Sequence, residues 1–174
     1  MNIDPLRLAQ RFGDTRVLVV DDDAAMRKVV RTMLMSIGVR DIREASNGPI
    51  GLETIRTRDI DVVVLDWEMP GLDGTGFMRM LRSPATFPKP ATPVIMLTGH
   101  GERSRVVEAV KVGVNEFLLK PVSCKALCDR LISVLYCPRP IMHAGDYYGP
   151  APRKNAKLIH SEIDDAFANR VLLH

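Results

Sequence analysis

Over the first 137 residues, short aliphatic runs alternate with stretches in which apolar residues recur at helical spacing. The runs are RVLVV (16–20), DIREA (41–45), DVVVL (61–65), PVIML (93–97) and NEFLLK (115–120). Most are apolar at nearly every position and rich in β-branched residues, which predicts strands buried on both faces, as in a parallel sheet. Between the first two runs, Met26, Val29, Val30, Met33, Leu34 and Ile37 lie on one helical face and stop at Gly38, a helix with a glycine terminator. Residues 48–58, 74–82 and 102–112 predict three more helices, the last ending at Gly113. A fifth spans 123–136, with Leu127, Leu131, Val134 and Leu135 as its apolar stripe and Ser123 as its N-cap.

Five strand–helix units in a row predict an α/β fold, a doubly wound five-stranded parallel sheet flanked by five helices with right-handed crossovers. In such a sheet the ligand site lies beyond the carboxyl ends of the strands. Two segments interrupt the pattern. The connection 83–93, SPATFPKPATP, is Pro-rich and long, and reads as a tolerated surface insertion. After Cys137, the prolines and glycines of CPRPIMHAGDYYGPAPRKNAK predict no continuous regular element. Ile159, Ile163, Phe167 and Val171 then recur at a four-residue step and predict one short amphipathic helix on a tether. The chain is thus read as a domain over 14–137 and a Pro/Gly-rich tether with a short helix over 138–174.

Composition narrows the function classes. With 24 basic against 21 acidic residues the net charge is only +3, and the basic residues are scattered among acidic ones. That argues against a dedicated nucleic-acid surface. No apolar run approaches the roughly 18 residues of a membrane span, and the first residues carry no secretory h-region. Cys124, Cys128 and Cys137 lack the spacing of a zinc site or a disulfide framework, so a cytoplasmic location is expected.

The chemistry gathers where the fold predicts a site. The first strand runs into Asp21, Asp22 and Asp23, the third into Asp66, the fourth into Thr98 and the fifth into Lys120-Pro121. Crowded carboxylates repel unless a hard cation neutralises them, and oxygen ligands suit Mg²⁺ or Mn²⁺. An acidic loop, a lone lysine or a lone threonine at a strand end is each commonplace; their coincidence on one rim is not. The set suits phosphoryl transfer onto a carboxylate, with Asp66 as nucleophile, Lys120 on one phosphoryl oxygen and Thr98 Oγ on another.

These residues carry a family resemblance. VLVVDDDAAMRKVVRTML (17–34), VVVLDWEMPGLDG (62–74), PVIMLTGHG (93–101) and NEFLLKPV (115–122) closely resemble the CheY-like receiver domain of two-component response regulators. The resemblance implies a flavodoxin-like sheet of order 2-1-3-4-5. It implies Asp66 as phosphoacceptor, Asp22 as direct metal ligand, Asp21 as a ligand through water, and the Glu68 carbonyl as a further ligand. Thr98 and Lys120 match the family's hydroxyl and ammonium positions, and the Lys120-Pro121 bond its cis peptide. Thr98 and Phe117 match its switch pair, although Phe117 lacks the hydroxyl of the tyrosine found in many relatives. Glu68 and His100, two residues past Asp66 and Thr98, match positions that tune phosphoryl lifetime. Asp23 is read as a helix N-terminal charge rather than a ligand.

The function so implied is a receiver that accepts phosphoryl from a histidine kinase or histidine phosphotransfer protein and signals to a downstream protein by a conformational switch. It catalyses only its own phosphorylation and dephosphorylation. Two alternatives stay open. A phosphatase of the aspartyl-phosphate class would want a second carboxylate where Glu68 stands, though Met69-Pro70-Gly71 and the Asp21-Asp22 pair fit a receiver better. A DNA-associated regulator would use Arg153, Lys154 and Lys157, a run that reads more simply as a solvated tether. The tail helix is expected to dock on its own receiver, swap into a dimer mate or bind a partner. The face of the fourth helix, fifth strand and fifth helix is a second expected homodimer surface.

Overall fold

The computed structural model describes residues 12–99 and 103–152. The elements follow the predicted order: β1 (Arg16–Val20), α1 (Ala24–Ile37), β2 (Asp41–Ala45), α2 (Gly48–Thr57), β3 (Val62–Asp66), α3 (Gly74–Leu81), β4 (Val94–Thr98), α4 (Arg103–Lys111), β5 (Glu116–Leu119) and α5 (Cys124–Tyr136). The five strands form one parallel sheet in the order β2-β1-β3-β4-β5. Ser123 and Gly38 act as the predicted N-cap and terminator, and Asn47 and Asp73 are caps the sequence reading did not name. Asp23, Asn47, Asp73 and Ser123 each accept a backbone N–H in the first turn of α1, α2, α3 and α5. Gly38 ends α1 in the left-handed conformation.

The sheet separates two cores. Leu52 and Ile55 of α2, Phe77, Met78 and Leu81 of α3 and Ala109 of α4 pack on one face. Val30 and Leu34 of α1 and Leu127, Leu131 and Val134 of α5 pack on the other, where Phe12 also inserts, fully buried. The central strands β3 and β4 are buried throughout, so a register slip would cost burial on both faces. Among the described residues no helix is long and apolar enough to cross a membrane, and all three cysteines are free.

Two readings of the sequence need correction. The segment after Cys137 is not a bare tether. Ile141–Ala144 (β6) and Tyr147–Pro150 (β7) pair antiparallel across the turn at Gly145-Asp146. The prolines stand before β6, at the last position of β7 and just after it, instead of in the interior of the paired run, so their number misled. The Pro-rich connection 83–93 is also more than a surface insertion, because its Phe87 is 2% exposed and joins the α2–α3–α4 core. Arg82 organises both segments. Its guanidinium, buried at the end of α3, donates to the carbonyls of Pro90, Thr92 and Gly113 and to Asn115 Oδ1. Gly113 (φ +81°) then lies against the hairpin, where a Cβ would meet the Tyr148 carbonyl oxygen at 2.7 Å. Arg139 Nη1 donates to the Ala151 carbonyl and Nη2 to that of Asn115, closing the hairpin's base. The predicted tail helix, with Arg153, Lys154 and Lys157, lies outside the described residues.

Candidate functional site

The carboxyl ends of β1, β3, β4 and β5 converge as the topology requires. Asp66 is the last residue of β3, opposite Leu97 of β4, and Thr98 is the last of β4, opposite Leu119 of β5. Asp66 and Thr98 are 4% and 3% exposed, so the strands hold both side chains inside the rim. Lys120 follows β5, with its N–H on the Thr98 carbonyl at 2.8 Å and a cis bond to Pro121. Its Nζ lies 2.8 Å from Asp66 Oδ1 and 3.7 Å from Asp21 Oδ2. Carboxylate oxygens of Asp21, Asp22 and Asp66 all fall within 4.8 Å of one another.

Backbone contacts fix this geometry. Asp21 N–H donates to the Ala45 carbonyl of β2, and Asp21 Oδ1 accepts the N–H of Asp23 at 2.8 Å. Asp23 itself caps α1 through the Ala25 N–H, in keeping with its expected structural role. Trp67, 2% exposed, is tied to β4 by its N–H on the Leu97 carbonyl, and its ring carries Arg105 of α4 at 5.4 Å. Gly74, the first residue of α3, lets that helix approach the site. A Cβ there would lie 2.9 Å from Trp67 Cα and 3.1 Å from the Asp66 carbonyl oxygen.

The electrostatics are those of a site with surplus negative charge. Burial pushes the Asp66 carboxyl above its ordinary value, against the opposing pull of the Lys120 hydrogen bond and charge. Burial also raises Asp21, which the Asp66 charge reinforces. Burial alone would lower Lys120, but its bond to Asp66 and the charges of Asp66, Asp21 and Asp22 outweigh that and raise it. Asp21 Oδ2 is buried and accepts no hydrogen bond. A buried carboxylate oxygen left so is costly unless something binds it. With carboxylate oxygens of Asp21, Asp22 and Asp66 gathered together, the set fits a hard divalent cation.

Of the other predicted residues, Glu68 is exposed just past β3, and Phe117 is partly buried against the α2–α3–α4 core. His100 lies outside the described residues. Sequence reasoning passed over Gly74, Arg27 and Arg82. For Gly74 there was a signal, the Asp-Gly that closes the 62–74 block; Arg27 and Arg82 looked like ordinary charges on helix surfaces.

Comparison with known proteins agrees with this geometry. Residues 17–132 match the family described as the response regulator receiver domain. The chain is 33% identical over 116 residues to chemotaxis protein CheY-3 of Vibrio cholerae, covering 67% of this chain and 88% of that one. It is 34% identical over 121 residues to chemotaxis protein CheY1 of Helicobacter pylori, covering 69% and 96%. Among solved structures, the receiver domain of Francisella response regulator 1452 superposes with a TM-score of 0.63 at 34% identity, over 71% of this chain and 98% of that one. Chemotaxis response regulator CheY4 of Vibrio cholerae gives 0.62 at 29% identity, over 70% and 98%. Motif order, strand order and these likenesses agree, and the chain belongs to the response regulator receiver family, the phosphorylatable modules of two-component signalling.

Proposed function

We propose that Asp66 is the phosphoacceptor, and that phosphorylation there switches the chain's contacts with a downstream protein. The observation that carries this reading is the 2.8 Å pairing of Asp66 with Lys120, inside a cluster that also holds Asp21 and Asp22. An Asp66 carboxylate oxygen attacks the phosphorus of a phosphohistidine on a kinase or phosphotransfer protein. The O–P bond forms as the N–P bond breaks, and the departing imidazole nitrogen picks up a proton from water. The reaction needs positioning and charge compensation more than covalent chemistry from the protein. Lys120 neutralises one phosphoryl oxygen and Thr98 Oγ donates to another.

Asp21, Asp22 and Asp66, with the Glu68 carbonyl, are the residues that would hold Mg²⁺ or Mn²⁺. The ion would supply charge neutralisation between the anionic nucleophile and the incoming phosphoryl group. On the acyl phosphate, Thr98 is drawn toward the added oxygens and Phe117 moves into the space it leaves, remodelling the face of α4, β5 and α5. Glu68 and His100, two residues past Asp66 and Thr98 in the sequence, set the phosphoryl lifetime. The work is done in the cytoplasm, and the only turnover is the chain's own phosphorylation and dephosphorylation.

Mg²⁺-dependent labelling by a small phosphodonor tests the reading. Label is expected on the wild type and on none of an Asp66→Asn variant; label that survives the substitution overturns the assignment.

A further inference from the structure

Arg27, in the first turn of α1, has no part in the chemistry above, yet its side chain is only 16% exposed. A cation is disfavoured there, because the amino end of a helix already carries partial positive charge. What holds it is the acidic loop. Arg27 Nη1 donates to the Asp21 carbonyl at 2.8 Å and to the Asp22 carbonyl at 3.2 Å, drawing two successive peptide units onto one nitrogen. Its Nε lies 3.4 Å from Glu44 Oε2 on β2. Arg31, one turn on, bonds the other Glu44 oxygen at 3.3 Å and the Ile42 carbonyl at 3.1 Å.

We propose that Arg27 is a positioning residue for the Asp21-Asp22 pair, anchored in turn by Glu44. With both carbonyls held by the guanidinium, the peptide planes of the loop are fixed. The two carboxylates are thereby left facing Asp66. The same positive charge offsets part of their mutual repulsion through the backbone side of the loop. Lys120 cannot do this without standing among the carboxylates themselves. Arginine suits the task because one planar group reaches the two carbonyls and Glu44 together, whereas an ammonium has no such fork. Groups that orient ligands from outside typically change metal affinity about 10- to 100-fold when removed.

This inference rests on the phosphoacceptor reading, and its test separates the two. The chain's single tryptophan, Trp67, is buried beside Asp66 and serves as a fluorescent reporter of Mg²⁺ alone. Mg²⁺ titrations of the full chain are run for wild type, Arg27→Gln, Arg27→Lys and Glu44→Gln, with small-donor labelling at limiting and saturating Mg²⁺. Arg27→Gln is expected to raise the half-saturating Mg²⁺ concentration about tenfold while the labelling rate at saturation stays near wild type. Arg27→Lys recovers part of the loss, and Glu44→Gln shows a smaller shift of the same sign. Unchanged Mg²⁺ affinity in Arg27→Gln overturns the proposal, as does a lower saturated rate at wild-type affinity. Should Arg27→Gln fail to fold, wild-type affinity in both Arg27→Lys and Glu44→Gln overturns it equally. A wild-type chain that neither binds Mg²⁺ nor labels at Asp66 would instead strike the phosphoacceptor reading.

Discussion

Lys120 and Arg82 are partly and almost wholly buried cations at opposite ends of the same sheet, and their surroundings differ in kind. At the carboxyl ends of the strands, Lys120 faces Asp66 and Asp21 beside Asp22, more negative charge than one ammonium neutralises. At the amino ends, Arg82 is matched by three carbonyls and the Asn115 amide oxygen. Burial pushes its guanidinium down to about 10, still well above neutral pH, so it keeps its charge. The first environment leaves a buried oxygen without a donor and invites a cation and a phosphoryl group. The second leaves nothing for a ligand to add and joins α3, the 83–93 connection and the hairpin into one body. A surplus of charge marks the end proposed to react, and a balance marks the end that is held together.

The contrast breaks most visibly at Arg82. Replacing it with Met takes the guanidinium donor from the carbonyls of Pro90, Thr92 and Gly113, leaves Asn115 Oδ1 with the Val94 N–H alone, and loosens the contact between Gly113 and the hairpin. A loss of about 3 kcal/mol is expected in urea denaturation. Asp66 labelling should persist wherever the variant is folded, because the two sites lie at opposite strand ends. A loss below about 1 kcal/mol would mean that the hairpin is held by other contacts.

Asp66→Asn should move stability the other way. In chelator the asparagine keeps an acceptor near Lys120 and removes a charge that burial disfavours, so a gain of about 1 kcal/mol is expected. With excess Mg²⁺ the order reverses, since the ion stabilises the wild type more than a variant that lacks one of its carboxylate ligands. A variant less stable than wild type in chelator would show that the Lys120 pair outweighs the carboxylate crowding.

How far the sequence announced each end follows from the same difference. The reactive end was readable because its residues are adjacent to strand ends, and strands of β-branched residues declare their own ends. Asp21, Asp22, Asp66, Thr98 and Lys120 needed only the order of the runs to be brought together. The holding end was not readable, because Arg82 acts on main-chain oxygens at 90, 92 and 113, which carry no side-chain signature. Phe87 looked like an isolated aromatic among prolines until the loop folded back over α2. The hairpin was hidden by counting prolines instead of locating them, although Gly-Asp between two short runs is a hairpin signal. Arg27 escaped for the reason Arg82 did, since two of its partners are main-chain carbonyls and Glu44 lies on β2.

The smallest expected effect sharpens the comparison furthest, because it sets an aspartate of the balanced end against Asp66. Asp61 stands just before β3 and accepts from Arg16 three times, from the backbone N–H at 2.8 Å, Nε at 3.0 Å and Nη2 at 2.8 Å. The hydrogen bonds from the Arg16 side chain hold its carboxyl below the ordinary value of 3.8. A depressed folded-state value contributes stability above the unfolded value, and that stability is lost as pH falls through the folded one. Both side chains are about a third exposed or more, so solvent screens the pair. Asp61→Asn should therefore cost roughly half, or less, of what Asp66→Asn gains at neutral pH in chelator. The pH dependence gives each its signature. The Asp61→Asn deficit closes only as pH falls below about 3.8, where the unfolded chain's carboxyl takes up its proton before the folded one does. The Asp66→Asn advantage begins to close at higher pH, because the buried carboxyl protonates sooner. Two substitutions of one kind, one just before β3 and one at its last residue, thus approach wild type from opposite sides on acidification. If both variants lie on the same side of wild type at neutral pH in chelator, the division into a reactive end and a holding end fails.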